Sequence, residues 1–224
     1  MTAEHAPDPR AASSGEVTDL LEEEIVLGLR YPRERLVEDE LMERYAAKRH
    51  VVRSALKELE TRGLAVRRPN VGAFVRAYTA KEVHDIYAVR ELLEVHCART
   101  IGLPAPPRAL EELVAVQREH DKAIDAGDLR GVVRANTAFH RALFALSDNE
   151  ALVGDIARHA QMTHAIRSVT ATSPQFQRRS QQEHWTMIKA LEDADTALLA
   201  ETCRAHLIPS RDAYLQRVAQ PPAG

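Results

Sequence analysis

Four side chains in the second half of the chain could hold a metal. Asn136 and His140 are four apart and so share a helix face, while His184 and His206 stand 22 positions from one another near the C-terminus. If helices carrying them face each other in a bundle, their imidazole nitrogens, at about 2.1 Å from an ion, suit zinc, nickel or iron. In a chain with ten histidines such spacing is equally that of scattered surface or core residues. Two guanidinium groups, Arg90 and Arg167, lie on segments able to face the same cavity, where either could grip a carboxylate in fork geometry. A salt bridge of Arg90 to Glu91 or Glu94, and solvent exposure of Arg167, are the alternatives. His120, His159 and His164 suggest no site.

The first third offers a different chemistry. Between Arg44 and Arg76 there are nine bases (Arg44, Lys48, Arg49, Arg53, Lys57, Arg62, Arg67, Arg68, Arg76) against two acids, a local +7 in a chain whose formal charge is −3. A basic island in an otherwise acidic protein fits a polyanion at one place. With 224 residues, 45% of them hydrophobic, the chain can bury one large core or two small ones. Ten aromatics cannot furnish the base-stacking platforms of single-strand binders. No apolar run approaches the roughly 20 residues of a spanning helix. The opening stretch lacks a hydrophobic centre, so a cytoplasmic location with a disordered tail over residues 1–12 is expected. Cys97 and Cys203 have no metal-type spacing and read as buried thiols.

The elements that must position these groups follow from pattern. Ser13 and Glu16 form a capping box for a first helix, which Gly28 and Tyr31-Pro32 close. A short helix over Glu38–Tyr45, a tight Ala46-Ala47 turn and a helix over Lys48–Thr61 capped by Gly63 come next. Short β-type runs then flank a Pro69-Asn70 and Gly72 turn. Helix, short helix, turn, basic helix and basic hairpin make a winged helix-turn-helix over residues 13–78, whose third helix enters the DNA major groove. From residue 79 to 218 helical stripes recur without strand alternation. Helices are expected near 80–101, 107–126, 129–147, 151–171, 175–191 and 196–217, an all-α bundle, with a tail over 219–224.

The stretch Gly28 to Val75 resembles the DNA-binding domain of the GntR family of bacterial transcription regulators. Its Ala47-Lys48-Arg49-His50-Val51-Val52-Arg53-Ser54-Ala55-Leu56 stands for the family's "VSRTPVREAL", and Pro69-Asn70-Val71-Gly72-Ala73-Phe74-Val75 for "PNRGAFV". The resemblance implies groove-facing Arg49 and Arg53, phosphate contacts from Arg44, Lys48, His50, Arg68 and Asn70, and a close approach at Gly72. Lys48, His50 and Val51 replace the usual Ser, Thr and Pro, which implies a different operator. The segments Asp85–Glu94, Asn136–His140, Glu183-His184 and His206-Leu207 resemble the FCD effector domain of the FadR-type branch. That likeness implies one divalent metal per chain held by Asn136, His140, His184 and His206, with Asn136 in place of the more usual aspartate, and a carboxylate effector held with help from Arg90 and Arg167.

The expected function is therefore a homodimeric, effector-responsive regulator, by default a repressor, on a palindromic double-stranded operator. The alternatives are a metal-dependent hydrolase, which the absence of HExxH and the expectation that Glu183 faces elsewhere disfavour, and an architectural DNA binder with a vestigial bundle.

Overall fold

A computed structural model describes residues 12–219. The chain divides into two compact units, one holding Leu29–Ala77 with the segment through Ile25, the other holding Tyr78 onward with Val26–Gly28. The tails expected over 1–12 and 219–224 fall almost wholly outside the described residues; Ala219 belongs to the last helix.

In the first unit, α1 (Ser14–Val26) starts from the capping box: Ser13 N donates to Glu16 Oε2 and Glu16 N to Ser13 Oγ. α2 (Glu38–Arg44) and α3 (Arg49–Thr61) follow, joined by a turn in which Ala46 takes φ +47°. α3 buries Val52, Ala55, Leu56 and Leu59 on one face and leaves Arg49, His50 and Arg53 exposed. β2 (Ala65–Arg68) and β3 (Gly72–Val75) pair antiparallel across a tip where Asn70 is left-handed and Gly72 has φ +123°. A further strand, β1 (Arg35–Leu36), adds to the other edge of β3, giving the order β1-β3-β2. Two residues are too few for an alternation to announce it.

The second unit is a bundle: α4 (Ala80–Thr100), α5 (Pro107–Ala126), α6 (Leu129–Phe144), α7 (Glu150–Met162), α8 (His164–Ala171), α9 (Pro174–Glu192) and α10 (Thr196–Ala219). Its helix starts are chemically explicit: a Thr79/Glu82 capping box, Pro107 in the first turn of α5, and Asp128 and Asn149 accepting from backbone NH groups. The one long helix expected over 151–171 is two. Thr163, fully buried, donates its hydroxyl to the Ala160 carbonyl and receives Arg90 Nη1 at 3.0 Å, so a side chain from α4 occupies the break. The helix expected to reach Ser147 ends at Phe144, where the chain tightens into turns. At the other end Tyr214 of α10 brackets the first residue of this unit. Its hydroxyl accepts from Tyr78 N at 3.0 Å and donates to Tyr78 O at 3.3 Å.

Phe139, Leu143, Leu113, Met187, Ile188, Leu191, Leu199 and both thiols, Cys97 and Cys203, fill the bundle core. Burial pushes both thiols up, so neither is a ready nucleophile. Among the described residues no helix is long and apolar enough to cross a membrane. Leu143→Ala, at a site with no accessible surface, is expected to cost about 2–5 kcal/mol, read as a fall in the urea midpoint of the bundle transition.

Candidate metal centre and DNA-facing helix

Three helices bring the histidines together. His140 comes from α6, His184 from α9 and His206 from α10. Their Nε2 atoms converge: His140 to His206 is 3.0 Å and His184 to His140 is 3.3 Å. They form a group whose ligating atoms all lie within 4.8 Å of one another. Nitrogens bound at about 2.1 Å to one ion stand about 3.0 Å apart at right angles and about 3.4 Å apart in a tetrahedron, so two of the three separations are those of a ligand shell. Asn136, one turn before His140, joins through Ser180, whose hydroxyl donates to Asn136 Oδ1 at 3.2 Å and lies 3.3 Å from His184 Nε2.

The partners of the other ring nitrogens decide where the protons sit. His184 Nδ1 is 2.8 Å from Gln117 Oε1, and the Gln117 amide is oriented because its Nε2 donates to Asp121 Oδ1 at 2.7 Å. His206 Nδ1 is 2.7 Å from Glu183 Oε2. Both Nδ1 atoms face acceptors; with the proton on Nδ1, both Nε2 lone pairs are aimed at the shared point. A proton on His140 Nε2 can satisfy one of them at a time; a cation at the centre can take all three. Asn136 Nδ2 and His140 Nδ1 are buried without a partner. The residues present therefore fit a divalent metal with nitrogen preference. Burial first, then neighbouring His206, Arg167 and Arg90, holds His140 well below the usual histidine range; burial, then His140 and His206, does so for His184.

Beside this cluster is a cavity of about 80 Å³ whose wall includes His206, Asn136, Ser180, Val132, Phe176 and Arg167. Arg167 has no carboxylate partner among the described residues. Burial, then the like charge of Arg90, pushes its pKa down to about 10. Arg90 is placed otherwise: its guanidinium holds Glu94 Oε1 at 2.8 Å and Thr163 at 3.0 Å, and it is not among the residues lining the cavity. The ion pair foreseen as the alternative for Arg90 is what the fold contains, and the exposure foreseen for Arg167 is not.

Three further residues escaped the sequence. Glu183 was expected to face away; instead α10 lies along that side of α9, so Glu183 meets His206 while its neighbour His184 turns towards α5 and α6. Gln117 orients His184, a role no spacing rule signals. His120, whose ring centroid is 5.1 Å from that of His184, packs against the cluster, and burial lowers its pKa to about 4. Asp121 collects Gln117, Gln181 and Trp185.

In the first unit the exposed arginines of α3 are not idle. Arg49 Nη2 is 2.6 Å from Asp39 and Arg53 Nε is 2.9 Å from Glu38, both acids in the first turn of α2. Lys48 is the residue before α3, and Arg68 lies over the Phe74 ring at 4.6 Å. Arg44 turns inward to Glu24, a buried carboxylate that also accepts from Arg30. Burial would raise Glu24, but the Arg30 and Arg44 hydrogen bonds outweigh it and keep it low.

The buried histidines set a pH limit. In the unfolded chain each titrates near 6.5, whereas His120, His140 and His184 resist protonation in the fold. The unfolded state thus binds more protons as pH falls below about 6.5, and stability falls with it. For His120, lowered to about 4, this amounts to about 2 kcal/mol by pH 5, and His140 and His184 act in the same direction. Guanidinium unfolding of the chelator-treated protein should show midpoints dropping steadily from pH 7 to pH 5.

Comparison with known proteins agrees with this architecture. Residues 13–75 match the family described as bacterial regulatory proteins, gntR family, and residues 85–208 match the FCD domain. A curated relative, an uncharacterized HTH-type transcriptional regulator YdhC of Bacillus subtilis strain 168, is 26% identical over 176 residues, 78% of this chain and 79% of its own. Two solved structures share the fold with TM-score 0.76. One, described as a transcriptional regulator GntR from Rhodococcus sp. RHA1, is 22% identical and covers 93% of this chain and 99% of its own. The other, E. coli McbR/YncC, is 20% identical with 92% and 98% covered. The chain belongs to the GntR family of transcription regulators, with an N-terminal winged helix-turn-helix and a C-terminal FCD domain, a family of regulators and not of enzymes.

Proposed function

We propose that the protein is a repressor whose grip on a palindromic operator is set by a small carboxylate bound beside a divalent metal in the helical domain. The observation that carries this reading is the unpaired Arg167 guanidinium in a cavity walled by His206 and Asn136. Glu183 also lines the cavity, but its carboxylate is taken up by His206 and Arg179, so the Arg167 guanidinium, which holds no carboxylate, favours an anion there, and the volume suits a small organic acid better than a drug-sized ligand. His140, His184 and His206, with Asn136, would hold the metal, which supplies a Lewis-acidic centre for one carboxylate oxygen. Arg167 takes the other oxygen, and Val132 and Phe176 exclude water from the remainder. Arg90 acts at one remove, holding Thr163 and with it the start of α8, the helix that carries Arg167.

On the DNA side, Arg53 and Arg49 enter the major groove, with Arg53 forking onto a guanine, while Lys48, His50, Arg68, Asn70 and Gly72 follow phosphates. Arg44 contributes charge but keeps its fork on Glu24. In a homodimer, an effector favours release only to the extent that it binds the DNA-incompetent arrangement more tightly.

Duplexes selected from a random pool give the operator. On that operator, Arg53→Ala should cost about 1–3 kcal/mol and relax the base preference at one position per half-site; unchanged affinity and preference would remove Arg53 from base reading. In the zinc-loaded protein, a panel of short hydroxy- and dicarboxylic acids should include at least one that weakens operator binding in fluorescence anisotropy. Arg167→Gln should abolish that response while leaving zinc content and operator affinity unchanged. A response that survives in the variant would overturn the assignment of Arg167.

A further inference from the structure

The three histidines that converge on the candidate metal position, and Asn136, which is linked to them through Ser180, carry no formal negative charge when deprotonated for ligation. A divalent cation placed among them is therefore balanced by none of its own ligands, and the unpaired Arg167 guanidinium shares the cavity. Glu94 does not help, because Arg90 already occupies it. Asp121 is two hydrogen bonds away, through Gln117 and His184. One carboxylate touches a prospective ligand: Glu183, whose Oε2 accepts from His206 Nδ1 at 2.7 Å and whose Oε1 is held by Arg179 Nε at 2.7 Å.

We propose that Glu183 is the positioning residue that supplies, through His206, the negative charge that asparagine at position 136 withholds from the metal. This rests on the reading of the histidine cluster as a metal site. Three features make Glu183 suited to the role. It is adjacent to His184, so α9 provides one ligand directly and orients a second on α10. Arg179 fixes which carboxylate oxygen faces His206, so the acceptor cannot rotate away. A carboxylate on Nδ1–H also makes the opposite Nε2 a better donor than an amide or carbonyl would, and such partners typically matter 10- to 100-fold in metal affinity. His140, by contrast, has no Nδ1 partner and His184 has a neutral one. The charge therefore enters by way of His206.

The test is competition of the full-length protein against a chromophoric chelator for Zn²⁺, with four forms: wild type, Glu183→Gln, Asn136→Asp and the double variant. Glutamine keeps an oxygen for His206 Nδ1–H and removes only the charge. Glu183→Gln should bind zinc 10- to 100-fold more weakly, Asn136→Asp more tightly than wild type, and the double variant within about threefold of wild type. Circular dichroism of each metal-free form should be unchanged. Long-range ¹H–¹⁵N spectra of the metal-free wild type should report His206 protonated at Nδ1. Zinc affinity of Glu183→Gln within twofold of wild type would overturn the role of Glu183 alone, as would an Nε2-protonated His206. A wild type that takes up no zinc, nickel or iron would instead remove the metal site itself, and this inference with it.

Discussion

Imidazoles that turn their Nε2 lone pairs to one point must hold their protons on the far sides of the rings, as His184 and His206 are placed to do and His140, whose Nδ1 has no partner, is not. That constraint organises much of the helical domain. It requires an acceptor behind His184, which α5 provides as Gln117, and one behind His206, which α9 provides as Glu183. Gln117 in turn must not flip, and Asp121 prevents it. The three helices that supply the histidines and the one that supplies Gln117 are thus tied together by hydrogen bonds. The stacking of Phe139 on His184, 3.9 Å between centroids, seals the apolar side and keeps the ring from being solvated. The low proton affinity of His140 and His184 is a consequence of the same enclosure.

The DNA-binding unit uses the opposite strategy. Its working arginines are exposed, and in the free protein they rest on Glu38 and Asp39 of the neighbouring helix. Ion pairs at such exposure contribute little to stability. Their effect is on geometry: Arg53 meets Glu38 through Nε alone and Arg49 spans Glu38 and Asp39, so both side chains are held against the first turn of α2. Two arginines of the basic island are tied to buried carboxylates instead: Arg44 to Glu24 and Arg62 to Glu22.

Much of this organisation was legible before any coordinates. Caps at Ser13, Thr79, Asp128 and Asn149, prolines at helix starts and glycine after α3 and α5 are local rules, and local rules transmit well from sequence. So did the pairing of Asn136 with His140, which a helical repeat guarantees. What did not transmit were contacts between helices. The break at Thr163 depends on a side chain of α4, 73 residues away, and nothing in the composition of 151–171 announces it. Arg90 and Arg167 are the same residue type on comparable segments; Glu94 one turn beyond Arg90 captures it in an ion pair, whereas Arg167 holds no carboxylate among the described residues, since Glu183 in the same cavity wall is taken up by His206 and Arg179. Glu183 was misjudged for the same reason, because a helical wheel gives the angle between neighbours but not which helix each will meet.

The bracket between Tyr214 and the backbone of Tyr78 ties the end of the chain to the residue at which the helical domain begins. His206 lies eight residues earlier on the same helix, about 12 Å along its axis, and Pro209, which cannot complete the backbone ladder, lies between them. Between the histidine cluster and the bracket at Tyr78 the last helix therefore has one place, Pro209, where its backbone ladder is interrupted. A bend there alters how His206 is presented to the cluster without loosening the Tyr214 bracket.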